Sequence, residues 1–484
     1  MIDSSKFTSQ ARELLGDRGF TCDPDLLDPW LTDWRGRFTG KALGLASPAS
    51  TKEVSQFIKL CARHGVPIVP QGGNSGMVGG ATPDSAGNSV LLSLRRMNTV
   101  RSFDVTARQI TVDAGLVLQN LHDIVEAEGL RFPLTLGGKG SATIGGLIST
   151  NAGGTQVLRH GTMRAQVLGV EAVLADGQIF DSLTPLKKDN RGFDLKQLLI
   201  GSEGTLGIVT GATLRLLPAI KDRVVAWIGL PSVHAARALL LKLESAMPEE
   251  LEGFEVMPAH CLESVLKHLP DARSPLTGAH AWYTLSELVI TAGQTEQVRE
   301  KLEEQLAEEL DSGGIEDAVI ASNEKQAEDF WLLRDSVAPA EKEIGPAVQH
   351  DISVPVDTMP DFIETAGPAV EARFPGTRSV SFGHLGDGNV HFHVLAPQGA
   401  VRGEWELNEG KAISSYVYDL TAQWGGSISA EHGIGQMKIG ELARLNDPVA
   451  LHLMRSVKHA LDPAGLLNPG KLIAVGGDDL PSAL

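Results

Sequence analysis

The order of apolar and polar positions divides the chain into two textures. Through about residue 217, short apolar runs alternate with glycine-rich turns. The run VPIV leads into QGGNSGMVGG (71–80). A second cluster, GGKGSATIGGLISTNAGG (137–154), and a third, GSEGTLG (201–207), are followed by the β-rich stretches VLGVEAVLADGQIF and GIVTGATLRLLP. This pattern predicts strands and short helices joined by glycine turns. From about Val224 the spacing becomes helical in VHAARALLLKLESAM and TEQVREKLEEQLAEEL, between strand-like pieces VVAWIGL and HAWYTLSELVI. That alternation predicts a separate α+β domain. The acidic stretch KLEEQLAEELDSGG reads as a solvated helix face and its C-terminal stop. In GHLGDGNVHFHV, His391 and His393 alternate with Val390, Phe392 and Val394, so a strand there puts both imidazoles on one face.

The chain has 484 residues, too many for one core and enough for two or three domains. Hydrophobic residues make up 42%, which excludes disorder as the main state. With 42 basic against 60 acidic side chains the formal net charge is −18, which argues against a nucleic-acid partner and an anionic membrane surface. An anionic substrate would need a local basic group or a metal. Three dispersed cysteines (Cys22, Cys61, Cys261) exclude a disulfide framework, a four-thiolate zinc site and an iron–sulfur cluster. No apolar run reaches the ~18 residues of a membrane span, and the first twenty residues carry no apolar signal core. A protein of a reducing compartment, specifically the cytoplasm, is the expectation.

Glycine clusters beside strands let main-chain N–H groups approach a phosphate. Neither Gly-x-Gly-x-x-Gly nor GxxxxGK[ST] occurs, which argues against a Rossmann site and a P-loop. The loop after VPIV can instead wrap a pyrophosphate with main-chain amides and the Ser75 hydroxyl; surface turns are the alternative. His384, His391 and His393 lie within ten residues, and Glu431 precedes His432 in AEHGIG. Two histidines and a carboxylate form an open ligand set for a catalytic divalent metal. Satisfied core histidines are the competing reading. Adjacent residues of an extended chain do not point at one atom, so a metal-bound Glu431 leaves His432 for general-base work near pH 7.

Six motifs occur in order: PQGGNSGMVGG, FPLTLGGKGSATIGGLISTNAGG, KDNRGFDLKQLLIGSEGTLGIVT, GHLGDGNVHFHV, SISAEHGIG and LDPAGLLNPGKL. Together they resemble the FAD-linked D-2-hydroxy acid dehydrogenases of the vanillyl-alcohol-oxidase-like flavoproteins, whose members include dehydrogenases of D-2-hydroxyglutarate and D-lactate. The resemblance implies an α+β fold. It places a two-subdomain FAD-binding domain at 1–217, a cap domain with an antiparallel sheet at 218–425, and a C-terminal segment at 426–484 that returns to the flavin. It implies cofactor contacts at Gly72, Gly73, Asn74, Ser75, Gly76 and Gly79 (pyrophosphate), and at Gly145, Thr150, Asn151 and Gly153 (flavin and ribityl chain). Glu203, Gly204 and Gly207 match the part near the adenine, and Asn468 and Lys471 the terminal motif. Asn74 stands where some relatives carry a flavin-linking histidine, so FAD is expected to be noncovalent. The implied ligands of a divalent metal, zinc or manganese, are His384, His391 and Glu431, with His432 as base. Trp331, Arg334 and Asp335 match a W-x-x-R-[DE] motif whose arginine holds substrate carboxylate.

Asn389, His393 and Gln349 are further candidate substrate contacts. Ala338, Gln349 and His393 depart from the threonine, lysine and asparagine usual in relatives acting on 2-hydroxyglutarate. The implied activity is oxidation of a D-2-hydroxy acid, 2-hydroxyglutarate first and D-lactate as runner-up. A flavin-free metal-dependent hydrolase and a non-catalytic flavin subunit are the alternatives outside that class. A quinone, a cytochrome and an electron-transferring flavoprotein all fit as electron acceptor, and a homodimer is admissible.

Overall fold

The expected strands form, and they sort into sheets by chain segment. The computed structural model describes residues 3–186 and 188–474; positions 475–484 of the expected C-terminal segment lie outside it. One compact unit comprises 3–154, 160–218 and 431–474, and a second comprises 155–159 and 219–430.

In the first unit a small mixed sheet runs Phe20–Thr21, Leu45–Ala46, Val90–Leu92, Ile68–Pro70, its last three strands parallel. The helices Ser4–Leu15 and Thr51–His64 close its core around Phe7, Phe20, Phe57, Ile58, Ile68 and Leu92. The second of these helices begins where the Ser50 side chain accepts the Glu53 N–H, and ends at Gly65 in the left-handed region. A five-stranded antiparallel sheet runs Val100–Asp104, Gln109–Asp113, Ile208–Arg215, Val167–Val173, Ile179–Ser182. Two of the glycine clusters are therefore strand-end loops. QGGNSGMVGG leaves from Ile68–Pro70, and GSEGTLG runs into Ile208–Arg215.

The terminal motif belongs to this unit. Ile68 N–H donates to the Leu466 carbonyl and Asn468 N–H to the Ile68 carbonyl, so Leu467 pairs beside the strand that feeds the first glycine loop. A buried ion pair anchors the turn. Lys458, on the helix Pro448–Leu461, donates to Asp462 (2.6 Å) and to the carbonyls of Thr205 (2.7 Å) and Leu467 (2.9 Å).

In the second unit a seven-stranded antiparallel sheet runs Asp317–Ile320, Asp222–Leu230, Trp282–Ile290, Leu251–Pro258, Arg378–His384, Asn389–Leu395, Ala347–Ser353. One face is closed by the helices Ala259–His268, Glu324–Asp335 and Val337–Ile344 over Trp227, Met257, Cys261, Phe330, Leu333 and Phe382. On the other face His350 packs against Phe392 and Tyr418. The acidic helix Thr295–Ser312 buries only Leu302 and Leu306 and stops at Gly313 with φ 78°, as its composition predicts. Among the described residues no helix is long and apolar enough to cross a membrane.

Candidate active site

The first unit brings the glycine clusters together. A Cβ at Gly73 would lie 1.8 Å from the Ser141 carbonyl oxygen, and one at Gly72 would lie 2.4 Å from the Thr143 hydroxyl. The first loop thus packs main chain onto the second cluster, which only glycine permits. Beyond that contact the space opens: a Cβ at Gly76, Gly137 or Gly140 would meet nothing within 4 Å.

The loop's hydrogen bonding is one-sided. Among the described residues, no main-chain N–H from 72 to 80 donates to a protein acceptor. Several of its carbonyls are used: Val78 accepts from Gln436 and Met437 N–H, Gly79 from the Gln436 side chain, and Gly80 from the Asn468 side chain. A loop whose acceptors are occupied and whose donors are left over fits a pyrophosphate.

Around that loop sit the remaining cofactor candidates of this unit. Asn74 and Asn151 both adopt φ 51°, and Asn151 Oδ1 accepts the Arg164 N–H. Gly145 packs on Ala114, and Thr150 closes its helix by donating to the Gly146 carbonyl. Gly153 follows that helix in a loop. Gly204 lies against Pro70, and Gly207 against Leu199. Ser75 is half-buried, and Lys471 is 3% exposed.

Glu203 has a task that sequence reading missed. Its Oε1 accepts Ile434 N–H at 2.7 Å and its Oε2 accepts Gly435 N–H at 2.8 Å. Burial raises its pKa, partly offset by these two bonds. Asn468 donates to the Glu203 and Gly80 carbonyls, tying the terminal motif to both loops. A Cβ at Gly435 would lie 2.2 Å from the Val78 carbonyl oxygen. The stretch HGIGQM is therefore clasped between Glu203 and the first glycine loop, which holds the half-buried Glu431 and His432 at its head.

The second unit gathers the other candidates on one sheet face. Register pairs Gln349 with His393, Asp351 with His391, and Ser353 with Asn389. Across the next strand Phe382 pairs with His391 and His384 with Asn389, and Glu255 pairs with His384. Opposite residues of antiparallel strands share a face. His384, Asn389, His391 and His393 therefore stand together, as the alternation predicts, while His350 points the other way.

Glu255, which no motif singled out, lies at the centre of this face and is 1% exposed. Its Oε2 accepts Arg334 Nε at 2.7 Å, and its Oε1 lies 3.3 Å from His384 Nε2. Burial alone would raise its pKa, but Arg334 and His384 outweigh burial and hold it below the ordinary carboxylate value. Three residues before Arg334 on the same helix, Trp331 donates to Glu287, which Arg223 also engages at 3.0 Å. The W-x-x-R spacing thus places both side chains on the face of the helix that meets the sheet, each on a glutamate, half-buried Glu287 and buried Glu255. Asp335 is exposed.

His384 and His391 lie with ring centroids 5.8 Å apart and planes perpendicular. His384 Nδ1 also faces Asp387 at 3.3 Å, the carboxylate backing common behind metal-binding imidazoles. Desolvation, then His384 and Arg334, push the His391 pKa well below the ordinary histidine value, so its imidazole is neutral. Asn389 donates to Asp351 (2.9 Å) and to the Ile352 carbonyl (3.1 Å), and its Oδ1 is buried without a hydrogen-bond partner. His393 Nδ1 is hydrogen-bonded to Glu341, a residue the motifs did not reveal. Ala338 is exposed at the start of the helix that carries Glu341.

Comparison with known proteins agrees with both halves. Residues 42–182 match the FAD binding domain family, and residues 220–472 match the C-terminal domain of FAD linked oxidases. The mitochondrial D-2-hydroxyglutarate dehydrogenase of Arabidopsis thaliana is 37% identical over 471 residues, covering 97% of this chain and 82% of the relative. That of Bos taurus is 39% identical over 460 residues, covering 93% and 80%. The D-2-hydroxyglutarate–pyruvate transhydrogenase of Saccharomyces cerevisiae is 34% identical over 458 residues, covering 93% and 90%. Among solved structures, p-cresol methylhydroxylase with bound substrate superposes with a TM-score of 0.75 at 17% identity, covering 96% of each chain. The 4-ethylphenol oxidase of Gulosibacter chungangensis gives 0.72 at 18%, with the same coverage. The fold is that of the vanillyl-alcohol-oxidase type.

The plant and bovine relatives are named mitochondrial, which overturns the cytoplasmic reading. A low cysteine count separates reducing from oxidising surroundings but carries no address among the reducing ones.

Proposed function

This chain belongs to the family of FAD-linked oxidases, and from that premise we propose that it oxidises a D-2-hydroxy acid, in first place D-2-hydroxyglutarate, to the 2-oxo acid. The observation that carries the reading is the sheet face on which Arg334, braced by Glu255, stands with His384 and His391. It is an anion anchor beside two imidazoles suited to a divalent cation.

The two glycine clusters would hold FAD noncovalently, which would supply the two-electron oxidant, and His384, His391 and Glu431 would hold zinc or manganese, which would supply a Lewis acid for the substrate hydroxyl. The donor row of 72–80 and the close approach at Gly73 support the first assignment; the neutral His391 and the carboxylate-backed His384 support the second. Arg334 holds a substrate carboxylate through its guanidinium, which offers more directional donors than lysine. His432 takes the hydroxyl proton at an imidazole nitrogen, and the main-chain N–H groups of Ile434 and Gly435 after it hold its loop to Glu203. Asn389 and His393 line the same face and contact the remainder of the substrate. A positively charged anchor within a chain of net charge −18 makes that face the place where an anion is held.

The test is anaerobic mixing of the holoenzyme with D- and L-2-hydroxy acids, with and without chelator. D-2-hydroxyglutarate should bleach the flavin, the L-form should not, and chelation should slow the bleaching. Absence of bleaching by every D-2-hydroxy acid would sink the activity. Bleaching indifferent to chelator would remove the metal.

A further inference from the structure

His384 is the last residue of the strand Arg378–His384, and Asn389 is the first of the strand Asn389–Leu395. The two pair in register, so a loop of only four residues, 385–388, joins them. A side chain at the end of a hairpin strand is no better placed than the loop that follows it. A cation site needs its ligands held within about 0.5 Å. Whatever fixes this loop therefore decides how well His384 can serve as a ligand.

Three of the four loop residues are held locally or by the neighbouring strands. Leu385 N–H donates to the Phe254 carbonyl at 3.3 Å. The Gly388 carbonyl accepts Val354 N–H at 3.0 Å. Asp387 accepts Asn389 N–H through Oδ1 at 3.0 Å, and its Oδ2 faces His384 Nδ1. Gly386, at the tip, is met from a distant part of the chain. A Cβ there would lie 2.2 Å from Leu158 Cδ1 and 3.2 Å from Leu158 Cγ. The isobutyl group of Leu158 thus sits flush on the tip, in the room that a missing side chain leaves.

Leu158 belongs to an excursion of the chain. Thr155–Arg159 packs with the second unit, although Gly154 before it and His160 after it belong to the first. The one-turn helix Val157–His160 buries none of its residues, so the excursion adds little to a core. Ordering five residues costs roughly 1–2 kcal/mol each in backbone entropy, which such shallow packing offsets poorly. Its second anchor is Arg159, whose Nη1 lies 3.4 Å from Oε2 of the buried Glu252. A detour with two side-chain anchors and no core of its own has the form of a clamp.

We infer that Leu158 is a positioning residue for the cation site: by capping Gly386 it fixes the loop 385–388, and through that loop the direction of the His384 imidazole. This rests on the metal reading proposed above for His384 and His391.

Calorimetric titration of zinc and of manganese into chelator-treated holoenzyme tests it, with flavin content and melting temperature read on the same samples. Leu158→Ala should weaken cation binding about tenfold to a hundredfold, the usual effect of removing a group that orients a ligand from outside the coordination sphere. Leu158→Met keeps an apolar chain of similar volume over Gly386 and should bind the cation as the parent does. Gly386→Ala should also weaken binding, because its methyl meets Leu158. In the Leu158→Ala background the same methyl has room, so the two losses should not add. Strictly additive losses, or an unchanged affinity in Leu158→Ala, would overturn the clamp. So would a lower melting temperature and less flavin at undiminished cation affinity, the signature of a strap that only completes the packing. A parent holoenzyme that takes up neither cation overturns the metal reading and this inference with it. A parent that binds, beside a Leu158→Ala variant that binds equally well, overturns the inference alone.

Discussion

Arg334 and Glu255 meet at 2.7 Å, Nε to Oε2, with the carboxylate 1% exposed and the arginine side chain 11% exposed. The pair links the helix Glu324–Asp335 to the strand Leu251–Pro258, and the carboxylate's other oxygen faces His384. One acid thereby orients both an anion anchor and an imidazole.

Removing that acid should be costly twice. Glu255→Ala removes the carboxylate that meets the half-buried Arg334 guanidinium and faces His384, and is expected to lower unfolding free energy by about 3 kcal/mol. Glu255→Gln should lose less stability but raise the substrate KM at least about tenfold, since Arg334 is no longer held by a charge. Denaturant titration and steady-state kinetics check the two parts.

Glu203 should govern flavin retention without touching substrate. Glu203→Gln replaces one acceptor oxygen by a donor that faces a main-chain N–H, a loss of about 1–3 kcal/mol. The clasp on Ile434 and Gly435 loosens, and the variant should lose FAD on gel filtration faster than the parent. Flavin absorbance per protein measures it.

The glycine loop makes a paired prediction. Gly73→Ala puts a methyl 1.8 Å from a backbone carbonyl and should yield protein with little flavin. Gly76→Ala meets nothing within 4 Å and should fold normally with its flavin. Equal flavin content in the two variants would contradict the packing of the two clusters.

Asp113 sets an acid limit on the first unit. Burial pushes its carboxyl up, but hydrogen bonds from Thr99 and Arg101 outweigh burial and hold it below the ordinary value. A depressed carboxylate stabilises above its unfolded pKa, and that stability is lost as pH falls through the folded one. Asp113→Asn should therefore cost about 1–3 kcal/mol at pH 7, and the gap to the parent should close below about pH 4. Denaturation curves at successive pH values read this directly.

His432→Ala should abolish flavin reduction by substrate while leaving the flavin bound, because the main-chain N–H groups of Ile434 and Gly435, which the substitution leaves in place, engage Glu203. Anaerobic spectra before and after substrate give both results. Full activity in the variant would remove the base.

Much of this site is legible from local pattern. The alternation at 390–394 puts His391 and His393 on one face because a strand allows nothing else, and the turn at Gly313 ends its helix for equally local reasons. The glycine clusters announce a main-chain binding surface through their composition alone. What the pattern could not reveal are the acids that arm these groups. Glu255 sits in LEGFEVMP, where a charge among alternating apolar residues hints at a buried partner without naming it.

The chain by itself determined where strands, helices and glycine turns fall, since those follow from side-chain periodicity and backbone freedom within a few residues. Only the tertiary structure decided that Glu255 serves Arg334 across 79 positions, Glu341 serves His393 across 52, and Glu203 holds Ile434 across 231. A buried carboxylate must find its hydrogen-bond donors wherever packing brings them. Separation along the chain carries no record of that choice.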